Sequence, residues 1–220
     1  MSKDQTRRRI LEAAGPVFAE KGYDAATVRE ICSRAGVNLA AVNYYFGSKE
    51  QLYVETLQYG RDPEGQHDQP LTWPADAAPE DKLRLFIEGL VRQMLGERAP
   101  WHRQLMLREI LQPTGACRQL VERHFRARMD QLLGILDEIL PPEVPLSRRQ
   151  QIAFSIVGQA LYYRVASEIV KFLVDEDQRQ AHFGVDQLAA HILDFSLAAL
   201  GLHPGLAVPR PEVTHEPLEP

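Results

Sequence analysis

Residues 27–52 read TVREICSRAGVNLAAVNYYFGSKEQL, and this stretch decides the fold. Thr27 followed by Glu30 predicts a capping box: the threonine hydroxyl accepts from a free helix amide and the glutamate reaches back to the cap. Val28, Ile31 and Cys32 then share one helical face. Ala35-Gly36-Val37-Asn38 ends that helix, because Gly36 takes the left-handed conformation cheaply and Asn38 is a good N-cap for the next helix. A short helix over 39–46 stops at Gly47, and Ser48 with Gln51 predicts a second capping box. Two short helices joined by a glycine-containing turn make a helix-turn-helix, whose second helix can enter the DNA major groove.

Outward from this motif the pattern is helical almost throughout. A first helix is expected over 4–21, with Ile10, Leu11, Ala14, Val17 and Phe18 at helical spacing. Gly15-Pro16 inside it predicts a kink or a break, and Gly22 its end. A helix starting after Ser48 fades near Gly60. Residues 61–79 hold Pro63, Pro70, Pro74 and Pro79 without periodicity and read as a connector, with Leu71 and Trp73 as its anchors. Beyond it, a helix begins near Glu80 with Leu83, Phe86, Ile87, Leu90, Val91 and Met94 on its buried side. Pro100 and Pro113 bracket another, and a longer one covers 115–140. Two final helices are expected over 147–174 and 184–200. The expected organisation is therefore all-α. An N-terminal three-helix helix-turn-helix domain spans residues 1–60, a larger C-terminal helical domain spans 80–201, and residues 202–220, rich in proline and acid, form a disordered tail.

Composition bounds the function. The chain has 220 residues with 45% hydrophobic content, enough for two cored domains. No apolar run is long enough to span a bilayer, and the charged start MSKDQTRRRI lacks a signal-peptide core. Cys32 and Cys117 are too few for a disulfide framework, which fits a cytoplasmic location. The formal net charge is −5, but the excess acid lies downstream of Asp62. Arg7, Arg8 and Arg9 at the start read as a loose electrostatic arm or as solubilising charge.

At the residues FAEKGYDAATVREI, AGVN, NYYF and FGSKEQLY the chain resembles the TetR family of bacterial transcriptional regulators. LMLREILQPTGA and FSIVGQALYYR are similar to the ligand-binding domain of a CecR-like subgroup. The resemblance implies a homodimer that binds a palindromic double-stranded operator, with an effector-binding domain that modulates DNA affinity.

The outward positions of the second motif helix are expected to be Asn38, Leu39, Ala40, Asn43 and Tyr44, with Val42 and Phe46 inside. Asn43 can pair with adenine through two hydrogen bonds, and Leu39 and Ala40 can meet a thymine methyl. Tyr45 matches a family position whose hydroxyl meets phosphate. Lys49 starts a helix, where its ammonium and the free amides can hold a phosphate, as the family does there. Thr27 is a cap whose amide or hydroxyl can also meet phosphate, and Arg29 can reach the backbone or an adjacent base.

The polar and aromatic candidates for an effector site are Trp101, His102, Arg108, Gln159, Tyr162 and Tyr163, with Glu109, Arg164 and Glu168 behind them. In the last two helices, Ile156, Tyr163 and Val170, and Leu188, Ile192, Phe195 and Ala199, fall in stripes of four-three spacing and read as the homodimer seam. No metal-ligand spacing, nucleophile elbow or phosphate-binding glycine loop is present, so no catalytic residue, metal or cofactor is expected. The expected function is a ligand-responsive transcriptional regulator, usually a repressor in this family, with a small-molecule effector and no membrane partner. Two other functions fit the same chain: a helical enzyme carrying a vestigial DNA-binding domain, and an effector-independent DNA-binding protein.

Overall fold

The computed structural model describes residues 3–61, 71–96 and 100–202, and among them every regular element is helical. The helices are α1 (Lys3–Ala25), α2 (Val28–Ala35), α3 (Leu39–Phe46), α4 (Lys49–Arg61), α5 (Pro79–Leu95), α6 (Pro100–Leu111), α7 (Gly115–Leu120), α8 (Arg126–Ile139), α9 (Leu146–Val165), α10 (Ser167–Leu173), α11 (Glu176–His182) and α12 (Val185–Ala199). A π-helical turn, Val121–Phe125, joins α7 to α8. The tail at 203–220 and residues 62–70 of the connector lie outside the described residues. Leu71 and Trp73 do pack on the C-terminal core.

Several elements differ from expectation. α1 runs through Gly15-Pro16 without leaving helical dihedrals; its non-helical residue is Gly22, at φ 78°. Gly15 serves packing instead: a Cβ there would fall 2.5 Å from the Trp101 ring of α6. The single helix expected over 115–140 is divided by the π turn, and the one expected over 147–174 is broken at Ala166. α11 has no apolar stripe and was not expected.

Two apolar cores form. In the first, Ile10, Leu11, Val17 and Phe18 of α1 meet Ile31 and Cys32 of α2, Val42 and Phe46 of α3, and Leu52, Tyr53 and Leu57 of α4. Leu105 of α6 and Ala116 and Leu120 of α7 complete it. The second core is centred on α5, whose Leu83, Phe86, Ile87 and Val91 pack against α8, α9 and α12. A sequence boundary near residue 80 therefore separates the chain but not the cores, because α6 and α7 follow it and pack backwards.

This packing creates the domain joint. Trp101 and His102 fit against glycines on two helices: a Cβ at Gly60 of α4 would fall 2.4 Å from the His102 ring and 2.7 Å from that of Trp101. Deeper in, the fully buried Tyr53 of α4 donates its hydroxyl to Glu109 Oε2 at 2.8 Å. The other oxygen of Glu109 accepts from the Thr114 amide at 2.9 Å and hydroxyl at 3.0 Å. Burial, reinforced by the bond to Glu109, pushes the Tyr53 phenol far above its ordinary value.

Tyr53→Phe should cost about 1–3 kcal/mol in urea unfolding, since it strips one donor from a buried carboxyl. The pH dependence follows from the direction of the shift. The folded state holds the phenol neutral, so this contribution is complete below about pH 10 and is lost as pH rises above it. Stability measured between about pH 9 and 11 should therefore fall less steeply in Tyr53→Phe than in the parent. Parallel curves would show that Tyr53 ionises freely in the folded protein.

Candidate nucleic-acid interface and the domain joint

The helix-turn-helix is held by local bonds that the residue types dictate. Thr27 Oγ1 accepts from the Glu30 amide at 3.2 Å and caps α2. Gly36 ends α2 in the left-handed region at φ 62°. Asn38 Oδ1 then accepts from the Ala41 amide at 2.9 Å and starts α3. Ser48 Oγ caps α4 in the same way, from the Gln51 amide at 3.1 Å.

Only the first half of each expected capping box forms. Glu30 turns outward to Lys21 at 2.7 Å and Arg34 at 3.0 Å, and Gln51 donates to Glu55 at 3.1 Å. An ion pair competes well with a second bond to a solvent-accessible backbone amide. The hydrogen bond from Lys21, with Arg34 nearby, holds the Glu30 carboxyl below its ordinary value.

α3 presents a divided surface. Val42 and Phe46 are buried, while Asn38, Leu39, Ala40, Asn43 and Tyr44 are exposed, Tyr44 by 68%. Tyr45 is half-buried and packs on the first core, with its ring edge-on to Tyr44 at 5.1 Å. Asn38 is both exposed and committed to its cap, so its side chain already has one acceptor in use. Arg29 is exposed and makes no ion pair among the described residues. Lys49 donates to the Asp24 carbonyl at 3.1 Å and lies 4.6 Å from the Tyr23 ring centre, which fixes its ammonium beside the start of α4.

The three N-terminal arginines form no loose arm. Arg7 pairs with Glu55 at 2.5 Å. Arg8 donates to Glu12 and to the Tyr59 hydroxyl at 3.1 and 3.0 Å, and these two partners raise its pKa. Arg9 donates to the Ala35 carbonyl at 2.6 Å, a cation at the C-terminus of α2. Helical folding from Lys3 onward places all three against the rest of the domain.

The effector candidates are scattered. On α6, Trp101, His102 and Glu109 are turned toward α1 and α4, and Arg108 donates to the Glu20 carbonyl at 3.4 Å. On α9, Tyr162 is exposed, Gln159 is half-buried, and Tyr163 packs on the second core with its ring 6.3 Å from Phe183. Arg164 bridges α9 to the other helices, donating to the Met94 carbonyl at 2.8 Å and lying 3.4 Å from His102 Nδ1. Glu168 pairs with Lys171 at the surface. Burial and Glu109 push the Cys117 thiol up, so it stays protonated at neutral pH. Tyr53, Glu109 and Thr114 were not legible as a unit, since Tyr53 and Glu109 are 56 positions apart.

Three of the seven dimer assignments, Ile156, Leu188 and Ile192, need a correction. Ile156, Leu188 and Ile192 are buried in the protomer's own second core, and Tyr163 and Val170 are half-buried. Phe195 and Ala199 are exposed. A four-three stripe marks a packing seam but carries no label for whether the partner helix belongs to the same chain.

A helix-turn-helix joined to a larger helical domain defines a DNA-binding regulator. The model of the bacterial regulatory proteins of the tetR family matches residues 10–56, and that of the C-terminal domain of the HTH-type transcriptional dual regulator CecR matches residues 79–200, more than half of the chain. The chain belongs to the TetR family, with a CecR-type C-terminal domain. It is 25% identical to CecR of Shigella flexneri over 177 residues, 76% of this chain and 79% of that one. The transcriptional repressor NicS of Pseudomonas putida is 39% identical over 56 residues, 26% of each chain. Among solved structures, NalD, the secondary repressor of the MexAB-OprM multidrug efflux pump in Pseudomonas aeruginosa, superposes with TM-score 0.59 at 21% identity, covering 90% of this chain and 97% of that one. FadR of Bacillus subtilis, solved in complex with stearoyl-CoA, does so with TM-score 0.57 at 19% identity, covering 89% and 98%. At these identities the structural likeness is one of fold.

Lys49→Ala should weaken binding to all DNA sequences alike and lower the salt slope of binding by about one unit, the signature of one lost phosphate contact. An unchanged slope in a folded variant would remove Lys49 from the interface. Asn43→Ala should instead relax the preference at one position of each half-site, by roughly 1–3 kcal/mol. Uniform loss across sequences would place Asn43 on the phosphate backbone.

Proposed function

We propose that this protein is a ligand-responsive transcriptional repressor that works in the cytoplasm, binding a palindromic operator as a homodimer and losing DNA affinity when a small molecule binds. The observation that carries the reading is the divided surface of α3. Its apolar residues anchor it, and Leu39, Ala40, Asn43 and Tyr44 are left outward in a pattern suited to base edges and thymine methyls. Thr27, Arg29, Tyr45 and Lys49 flank that face and are assigned to the phosphates. Relatives named as repressors support the sign of regulation, and the fold shared with a stearoyl-CoA complex supports a small-molecule effector.

The dimer uses α9 and α12, but through their outer faces. On α9, Phe154, Gly158, Tyr162 and Val165 are exposed at spacings of four, four and three. On α12, Phe195 and Ala199 are exposed one turn apart. Nothing lies within 4 Å of a Cβ built at Gly158, and Ala199 is small, so partner helices can approach closely there. Two copies of this pair make a four-helix bundle, and its two-fold axis matches a palindrome. Successive major grooves on one DNA face lie about 34–36 Å apart, so a small change in the angle at the domain joint costs affinity.

Selection of bound fragments from a random DNA pool tests the proposal. A two-fold symmetric sequence should emerge; enrichment of asymmetric sites, or none, would overturn it. Phe195→Glu should give folded monomers with native helicity and lost operator binding, because Phe195 is 47% exposed and outside the protomer core. Ile192→Glu should unfold the chain instead, since Ile192 is fully buried. A stable operator-binding dimer of Phe195→Glu in sedimentation would move the interface elsewhere.

A further inference from the structure

A cleft of about 490 Å³ opens between the two domains. One wall is the bend at residues 21–25 together with Tyr53, all from the DNA-binding domain. The other is Arg108 with residues 112–115, all from the effector domain. Its size falls in the range of small-molecule sites, and it combines aromatic surface with a few polar groups.

The chemistry of the walls is uneven. Lys21 is engaged by Glu30 at 2.7 Å. Arg108 has no ion pair among the described residues, and its hydrogen bond to the Glu20 carbonyl is a long one, 3.4 Å. Its guanidinium lies against Gly22, where a Cβ would fall 2.5 Å from Nη1. Gly22 itself holds φ 78°, a conformation other residues adopt at a cost. Tyr23 and Pro113 offer apolar surface and Gln112 a polar group, while the amide and hydroxyl of Thr114 are already engaged by Glu109. Asp24 also lines the cleft, which makes it hostile to a polyanion but not to one negative end directed at Arg108.

We infer that this cleft is an effector site for a small monocarboxylate with an apolar body, bound by Arg108 across the domain joint. The inference rests on the regulator reading and specifies where the signal enters. A carboxylate takes the guanidinium in a two-pronged hydrogen bond far stronger than its contact with the Glu20 carbonyl. Arg108 then leaves Gly22, and the apolar body separates the bend at 21–25 from the loop at 112–115. Because the walls belong to different domains, a ligand held between them binds one domain angle better than another. Differential affinity of that kind is what shifts the equilibrium away from the DNA-binding arrangement.

The test uses the full-length protein and three matched pairs: benzoate with benzamide, phenylacetate with phenylacetamide, and hexanoate with hexanamide. Calorimetry should show saturable binding of at least one carboxylate and of no amide. That carboxylate should raise the dissociation constant of the selected operator roughly 5- to 150-fold. Arg108→Gln should abolish both the heat and the release. Gln112→Trp, which fills the cleft from an exposed position, should do the same, and it decides the matter if Arg108→Gln fails to fold. No binding by any of the three carboxylates, equal binding by an amide, or a response that survives both variants would overturn the site. Failure of the regulator reading would look different: no operator would be selected, while calorimetry would still report on the cleft. A response that persists in both variants but is lost on substituting residues of the α5, α8 and α9 core would keep the regulator and move its ligand there.

Discussion

A buried carboxyl group must be given donors, and in this protein the donors for Glu109 come from both sides of a domain joint. Tyr53 supplies one from the DNA-binding domain; the amide and hydroxyl of Thr114 supply the others from the loop before α7. Losing any of them would leave a buried polar group short of partners, which costs more than an ordinary hydrogen bond contributes. The orientation of α4 against α6 and α7 is thereby tied to one carboxyl. Trp101, fitted against Gly15 and Gly60, ties the same helices by shape. Polar satisfaction and steric fit act at different depths of one contact, so the angle between the domains is defined rather than loose.

That definition matters because the recognition surface is small. α3 has eight residues, and two of them, Val42 and Phe46, are spent on anchoring it. What remains outward can read only a few bases, so much of any DNA affinity has to come from phosphate contacts. The N-terminal arginines contribute less to those contacts than their number suggests. Arg7, Arg8 and Arg9 are engaged by Glu55, by Glu12 and Tyr59, and by the end of α2. They hold α1 against its neighbours and set the geometry from which Arg29 and Lys49 project.

The cleft at 21–25 and 112–115 lies beside this joint, lined by Tyr53 and Thr114 themselves. α6 joins the two parts of the chain: its first turn meets α1 and α4, and its last turn carries Arg108 and Glu109.

How much of this was legible in the sequence follows from the range of the interactions. The caps at Thr27, Asn38 and Ser48, the turn at Gly36 and the split of α3 into buried and exposed positions are fixed within a few residues, so local chemistry determined them. The apolar face of α5 and the family membership were readable for the same reason. What only the tertiary structure decided were matters of partner. Glu30 chose Lys21 over its own cap, Gly15 proved to be a seat for Trp101, and Ile156, Leu188 and Ile192 turned out to face their own protomer. Tyr53 and Glu109 carry no mutual signal in the sequence, because a hydrogen bond across 56 positions exists only once α6 has folded back onto α4. Periodicity states that a residue is buried, and packing alone states against what.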